Sequence, residues 1–160
     1  MSTPKTADQW FAEYGESHQN PVNKTIHWIC VPTIYCCVFG LIYSIPVPAA
    51  LAAAAPWFTW ALPAALGVLL FYLRLSLPLA IGMFVLTGAC DLLIELHAGS
   101  TCPWPVWKSS LVVFVLAWIG QFTGHKIEGK KPSFFHDVVF LLIGPAWLLH
   151  FIYKRAGIRY

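Results

Sequence analysis

Two polar clusters in an otherwise apolar chain contain the residues best suited to chemistry. Residues 17–28, SHQNPVNKTIHW, include two histidines, and residues 120–132, GQFTGHKIEGKKP, include a third histidine followed by a glutamate. Imidazole nitrogens and carboxylate oxygens together suit Fe(II), Mn(II) or Zn(II). The two clusters therefore indicate a metal site, provided that the fold brings them together.

The first cluster must bend if both of its histidines are to reach one metal ion. His18 and His27 are nine residues apart, and a continuous helix would place them on opposite faces. Pro21 disfavours helix at Asn20, which can then cap a helix whose first position is Pro21. This bend leaves His18 on the preceding segment, and it puts His27 on one face of the new helix with Asn23.

The second cluster continues a helix, on which Gln121, His125 and Glu128 are spaced four and three residues apart and share one face. Combined with the first cluster, this face supplies three imidazoles and one carboxylate. Asn23 and Gln121 are then placed to fix the imidazole orientations. The predicted metal ligands are His18, His27 and His125, and the predicted catalytic residues are Glu128, Asn23 and Gln121. The residue pattern leaves a second interpretation open, in which these polar groups only cap helix ends and contact lipid headgroups.

The composition indicates a membrane protein. The chain has 160 residues, of which 58% are hydrophobic and 11% charged, whereas roughly a quarter of the residues of a soluble domain are charged. The net charge of +3 is small and scattered, which argues against nucleic-acid binding. We expect one integral membrane domain over residues 1–160, with a polar N-terminal segment at 1–27 that carries the first cluster and a helical bundle at 28–160 that carries the second.

Five apolar runs predict an all-α, multi-pass helical bundle of four to five transmembrane helices. A membrane helix tolerates proline kinks, so Pro56 and Pro63 are not expected to end the second run. The runs cover residues 28–45, 49–73, 77–96, 106–122 and 138–153.

The basic residues indicate which side of the membrane each cluster faces. If the first four runs cross, the N-terminal region, Arg74 and the lysines of the second cluster lie on one side, in agreement with the positive-inside rule. The metal site is then at one membrane face. The basic tail of residues 154–159 fits this topology only if the fifth run is re-entrant or interfacial.

The remaining polar groups carry weaker signals. The five cysteines include no C-x-x-C pair and lie mostly in apolar runs, where a thiol behaves as a small hydrophobe. Asp91 and Glu95 are read as carboxylates at the end of a membrane helix, and His136 and His150 as isolated packed or interfacial histidines. The zincin, nucleophile-elbow, P-loop and dinucleotide motifs do not occur in the sequence.

Taken in order, the two clusters resemble a known family. The motifs are H-x-N-P-x-N-x-x-x-H-x-x-x-V-P at residues 18–32 and Q-F-x-G-H-x-x-E-x-x-x-P at residues 121–132. They resemble the Mpo-like family of small membrane proteins, whose fungal member is an endoplasmic-reticulum Fe(II)-dependent 2-hydroxy fatty acid dioxygenase. The resemblance extends from about residue 14 to residue 157.

The resemblance implies α-oxidation, in which a 2-hydroxy fatty acid and dioxygen give carbon dioxide and the fatty acid one carbon shorter. It assigns the motif histidines His18, His27 and His125 to Fe(II) and makes Glu128 the motif carboxylate. Whether His97, His136 or Glu128 completes the metal shell stays open at this stage. A nearby cluster of Lys126, Lys130 and Lys131 is expected to attract the substrate carboxylate.

Two other functions compete with this one: a non-enzymatic membrane protein that binds or carries lipid, and a zinc-dependent lipid hydrolase that uses the same ligands. The expected partners are the 2-hydroxy fatty acid, dioxygen and membrane lipids, with no nucleic acid. The N-terminus lacks the pattern of a cleaved signal peptide, and the chain ends at GIRY without a retrieval signal. We therefore expect an integral multi-pass membrane protein that resembles the bacterial members, which places it in the inner membrane if the chain is bacterial; the resemblance puts eukaryotic relatives in the endoplasmic reticulum.

Overall fold

The computed structural model describes residues 5–132 and 139–160, and all of the regular structure in these ranges is helical. The prediction of an all-α membrane bundle is confirmed. The helices are α1 (Ala7–Gly15), α2 (Pro21–Tyr43), α3 (Ala49–Ala54), α4 (Ala61–Leu75), α5 (Leu77–Ala98), α6 (Val106–Glu128) and α7 (Phe140–Ala156).

Three of the helices in the described ranges are long and apolar enough to cross a membrane, namely α2, α5 and α6. Helix α4 is also apolar, but its 15 residues extend only about 22 Å at 1.5 Å per residue. This length is less than the hydrocarbon core of a bilayer, about 30 Å. A count of four or five spans therefore depends on how α4 and α7 are placed in the membrane.

The second apolar run does not form one helix, so the expectation that Pro56 only kinks it was wrong. Ala55, which precedes this proline, has φ −141° and ψ 79°, and α3 ends there. The pyrrolidine ring of a proline disfavours helical geometry in the residue before it. Pro63 behaves differently because it lies in the first turn of α4, where a missing N–H leaves no helical hydrogen bond broken.

The entry to α2 has the predicted geometry. Asn20 is extended, and its side-chain oxygen accepts the Val22 N–H at 2.8 Å, while Pro21 occupies the first helical position. The chain thus turns between α1 and α2, with His18 before the turn and His27 in the second turn of α2. Helix α6 ends within the second polar cluster, at Gly129, whose φ of 74° is a conformation that costs glycine little.

The two ends of helix α7 both contact the same end of the bundle. Near its start, the Leu142 carbonyl accepts the Tyr72 hydroxyl at 2.5 Å, and near its end the Tyr153 hydroxyl donates to the Pro78 carbonyl at 2.6 Å. Tyr72 and Pro78 flank the tight turn from α4 to α5. Because a crossing helix would have its ends at opposite faces, these contacts favour the interfacial or re-entrant alternative, which keeps the basic tail beside Arg74.

Candidate metal centre

Three histidines from separate segments meet at one buried point. The fold brings together His18 from the α1–α2 turn, His27 from α2 and His125 from α6. Their exposed fractions are 1%, 0% and 4%, and one ring nitrogen from each lies within 4.8 Å of those of the other two. The ring centroids are separated by 4.3 to 4.9 Å. The bend and the helical spacing inferred from the sequence therefore converge on a single site.

Backbone carbonyls fix the orientation of two of the imidazoles. His18 Nδ1 lies 2.6 Å from the Tyr14 carbonyl, and His27 Nδ1 lies 2.9 Å from the Asn23 carbonyl. Because a carbonyl can only accept, each Nδ1 carries the proton and each Nε2 keeps a lone pair. This arrangement, with one nitrogen bonded to a protein acceptor, is typical of metal-binding histidines.

One ring nitrogen of each of the three histidines has no hydrogen-bond partner among the described residues. Nε2 of His18, Nε2 of His27 and Nδ1 of His125 are buried and form no hydrogen bond. A buried polar atom without a partner costs about 1–3 kcal/mol. Three such atoms around one point fit a metal ion, which would accept their lone pairs, and the residues present therefore fit the metal that the sequence predicts.

His18, which lies outside the apolar helices, is held in its neutral form, and this is the form that binds metals. Burial, followed by the repulsion of a charge on His27, lowers the pKa of His18 to about 3. His18 is therefore neutral at physiological pH, and only the neutral imidazole has a lone pair for a metal. The Tyr14 ring stacks on His18 with a centroid separation of 4.2 Å and an interplanar angle of 15°.

Glu128 joins the two clusters through hydrogen bonds. Its carboxylate accepts the backbone N–H groups of Gln19 and Asn20, both at 2.8 Å, and the side-chain amide of Asn23 at 3.1 Å. Both of its oxygens accept these bonds. Among the described residues, the group that could hold a metal ion consists of the three histidines and does not include Glu128. These bonds hold the α1–α2 turn against the end of α6, so we propose that Glu128 positions this turn, and its catalytic role stays a prediction.

We expect Glu128→Gln to weaken metal binding by about 10–100-fold, the usual effect of losing a partner that orients a ligand. The glutamine amide would present N–H groups to N–H donors, so the turn that carries His18 would shift relative to α6. Competition titration with Zn(II) measures the effect. Glu13→Gln is the matched control because Glu13 forms an exposed ion pair with Lys5, and equal affinities for both variants would contradict the positioning role.

The other two predicted catalytic residues are buried at the site, whereas Glu128 is half-buried. Asn23 is fully buried, and its amide donates to the Ser17 carbonyl at 3.2 Å as well as to Glu128. Gln121 is 7% exposed and lines a cavity beside His125. Neither side chain has a described hydrogen bond to an imidazole ring, so Asn23 acts on His27 through its backbone carbonyl.

The lysines surround the site instead of lining it. Lys126 and Lys131 are exposed, and the Lys130 ammonium donates to the Glu16 carbonyl at 2.7 Å. The described residues that line the cavity include no lysine. Their charge can attract an anion toward this face, whereas direct contact with a bound carboxylate stays a prediction.

The two other histidines in the described ranges are not part of the cluster. His97 lies in the last turn of α5, where Glu95 approaches Tyr43 at the end of α2, so it is at the far end of the bundle from His27. His150 packs against Phe11 and bonds the Tyr160 hydroxyl. His136 lies outside the described residues.

A cavity of about 470 Å³ opens from the histidines into the bundle. Tyr14, His18, Gln121 and His125 line its polar end, and most of its other walls are aliphatic or aromatic side chains of α2, α4, α6 and α7. The site predicted from the sequence did not include Tyr14. Its position four residues before His18, one helical turn away, was the signal that could have identified it.

Comparison with known proteins agrees with this arrangement. Residues 4–156 match the family model described as "2-hydroxy-palmitic acid dioxygenase Mpo1-like". The 2-hydroxy-palmitic acid dioxygenase MPO1 of Saccharomyces cerevisiae is 30% identical over 140 residues, covering 86% of this chain and 74% of the yeast protein. No solved structure matches the chain. From the extent of the family match and the similarity to the yeast protein, the chain belongs to the Mpo1-like family.

Proposed function

We propose that the protein is an Fe(II)-dependent dioxygenase that shortens 2-hydroxy fatty acids by one carbon. A 2-hydroxy acid and one dioxygen would give the shorter fatty acid, carbon dioxide and water. The observation that carries the proposal is the set of three buried, unpartnered imidazole nitrogens at the polar end of an apolar cavity. The yeast relative is named as a dioxygenase of a 2-hydroxy acid, which supports the same chemistry.

The cavity suits an amphiphile with a small polar head. The carboxylate and 2-hydroxyl would lie at the histidines, and the acyl chain would extend along the apolar walls. Burial of this chain removes water from the reacting end, where electrostatic interactions are then stronger. Gln121 is placed to hydrogen-bond the head group, and the exposed lysines raise the concentration of anions at this face.

Histidine ligands fit several metals, so our choice of metal rests on the reaction with dioxygen that we propose. Iron, when bound, supplies the redox chemistry and the open positions that oxygenases use, whereas zinc has no redox chemistry. We therefore propose Fe(II), held by His18, His27 and His125. The protein orients these ligands through the Tyr14 and Asn23 carbonyls and keeps His18 neutral.

Oxygen uptake by detergent-purified protein tests the proposal. After anaerobic loading with Fe(II), addition of 2-hydroxypalmitate is expected to consume one dioxygen for each carbon dioxide released. Cleavage of a lipid ester by the zinc form without oxygen would instead support a lipid hydrolase. Binding of the acid with neither metal dependence nor oxygen uptake would support a lipid-binding protein.

The setting of this enzyme follows from the same features. We propose a single integral membrane domain, since the metal ligands come from both the N-terminal segment and the helical bundle. Three membrane-length helices support a membrane location, and a bacterial inner membrane is our specific proposal. The substrate would enter from the lipid phase, where 2-hydroxy fatty acids dissolve.

A further inference from the structure

The cavity has two parallel walls of defined length. On α2 its lining residues recur at helical spacing from Val31 to Ile42, and on α6 they recur from Phe114 to His125. Each stripe covers eleven residue steps, or about 17 Å at 1.5 Å per residue. Because α2 and α6 pack with Gly124 beside Ile26 and Gly40 beside Ser110, they are antiparallel. Cys30 faces Gly120, so the two stripes are offset: His125 lies near the level of Thr25 and Phe114 near that of Cys36. Ile42 therefore lies farther from the histidines than any cavity-lining residue of α6.

The two ends of this cavity differ in chemistry. The end at the histidines is polar, whereas the far end, at Ile42 of α2, is apolar. Helix α4 closes the apolar end with Ala64 and Val68, which are both half-buried. Since α4 starts at the face where α2 ends, Ala64 lies one turn farther from the histidines than Val68.

We propose that Ala64 and Ile42, at the far end of the cavity, determine the length of the acyl chain that the site accepts. This inference rests on the proposed function, because it takes the acid head group to lie at the histidines. An extended acyl chain advances about 1.25 Å per carbon, a spacing that follows from C–C bonds of about 1.5 Å at tetrahedral angles. From His27 to Ile42, α2 rises about 22 Å, a length that holds roughly 18 methylene groups. Acids of about 20 carbons therefore reach the far end of the cavity.

The small side chain of Ala64 gives the sharpest test. Ala64→Phe is expected to fill the last turn of the cavity, about 5.4 Å or four methylenes. Each methylene excluded from an apolar site lowers affinity about fourfold. Acids of 20 carbons should therefore bind more than about tenfold more weakly, while acids of 10 carbons keep their affinity within about twofold. Ile42→Ala is expected to move the preference toward longer acids.

Equilibrium binding of radiolabelled 2-hydroxy acids with about 8 to 26 carbons to the purified protein measures this preference directly. Leu70→Phe is the matched control, because Leu70 is on the same helix, is 51% exposed and lines neither cavity. The inference is supported if Ala64→Phe and Ile42→Ala shift the preferred length in opposite directions and Leu70→Phe does not. It is overturned if both cavity variants keep the length profile of the parent protein.

The same experiment separates this inference from the proposed function. A length profile that shifts in the variants, without oxygen uptake by the iron form, would retain the cavity as an acyl-chain site and reject the dioxygenase. Oxygen uptake with an unchanged profile would retain the dioxygenase and reject the role of Ala64 and Ile42. If Ala64→Phe fails to fold, Ile42→Ala and the parent protein still decide between these outcomes.

Discussion

Replacement of His27 with alanine is expected to abolish metal binding and, with it, oxygen uptake. His27 is fully buried, its Nδ1 is committed to the Asn23 carbonyl, and its Nε2 is one of the unpartnered atoms at the centre. Loss of a residue that only orients a ligand lowers metal affinity about 10–100-fold, so loss of a ligand should exceed 100-fold. Metal analysis of the purified variant and Co(II) titration measure the change, and His18→Ala and His125→Ala should behave in the same way.

A buried histidine outside the cluster provides the control for this experiment. His150 is 8% exposed and packs between Phe11 and Tyr160, so His150→Ala also removes a buried imidazole. It should lower thermal stability without changing metal content. Normal metal content in all four alanine variants would contradict the assignment of the centre. His27→Gln keeps much of the volume and polarity and separates loss of a ligand from loss of packing.

The meeting of the three histidines could be predicted from the sequence because its geometry is mostly local. Pro21 and Asn20 determine where α2 begins, so the relation between His18 and His27 depends on one turn of chain. The continuation of α6 through the second cluster placed His125 at the end of a membrane-length helix. The positive-inside rule then put both clusters at the same face.

The hydrogen bonds of Glu128 could not be predicted from the sequence in the same way. Its hydrogen-bond donors are backbone groups of Gln19 and Asn20, more than a hundred residues away in the chain. Helical spacing placed the carboxylate beside His125 and suggested a catalytic group. Which N–H groups it would bind depended on how closely α6 approaches the α1–α2 turn, and that distance is a property of the packed bundle.

The fold shows a similar division. The starts of α2 and α5 and the whole of α6 follow from caps, prolines and apolar runs. The break at Pro56 was missed because a proline can either kink or end a membrane helix, and only the surroundings decide which. The placement of α7 depends on the contacts of Tyr72 and Tyr153 with distant carbonyls, which no local pattern encodes.

A second large effect is expected from Gly124→Ala, which should both destabilise the bundle and weaken the metal centre. A Cβ atom at Gly124 would lie 2.3 Å from Asn23 Oδ1 and 3.3 Å from Asn23 Cγ. Asn23 cannot move aside freely because its amide holds the Ser17 carbonyl and Glu128. Overpacking of this kind costs about 1–3 kcal/mol, against which the better helix propensity of alanine returns about 1 kcal/mol.

The metal affinity of this variant distinguishes a local effect from general loosening of the helices. Gly120 lies one turn earlier on the same face of α6, and a Cβ there would meet Cys30 Sγ at 2.9 Å, outside the Asn23 network. Gly120→Ala should therefore lower stability and leave Zn(II) affinity nearly unchanged, whereas Gly124→Ala should lower both, affinity by about 10–100-fold. Gly67→Ala adds a methyl group to open space on α4 and should slightly raise stability. Since the three variants differ only in what the new methyl group meets, equal Zn(II) affinities for all of them would show that the approach of α6 to Asn23 does not position His125.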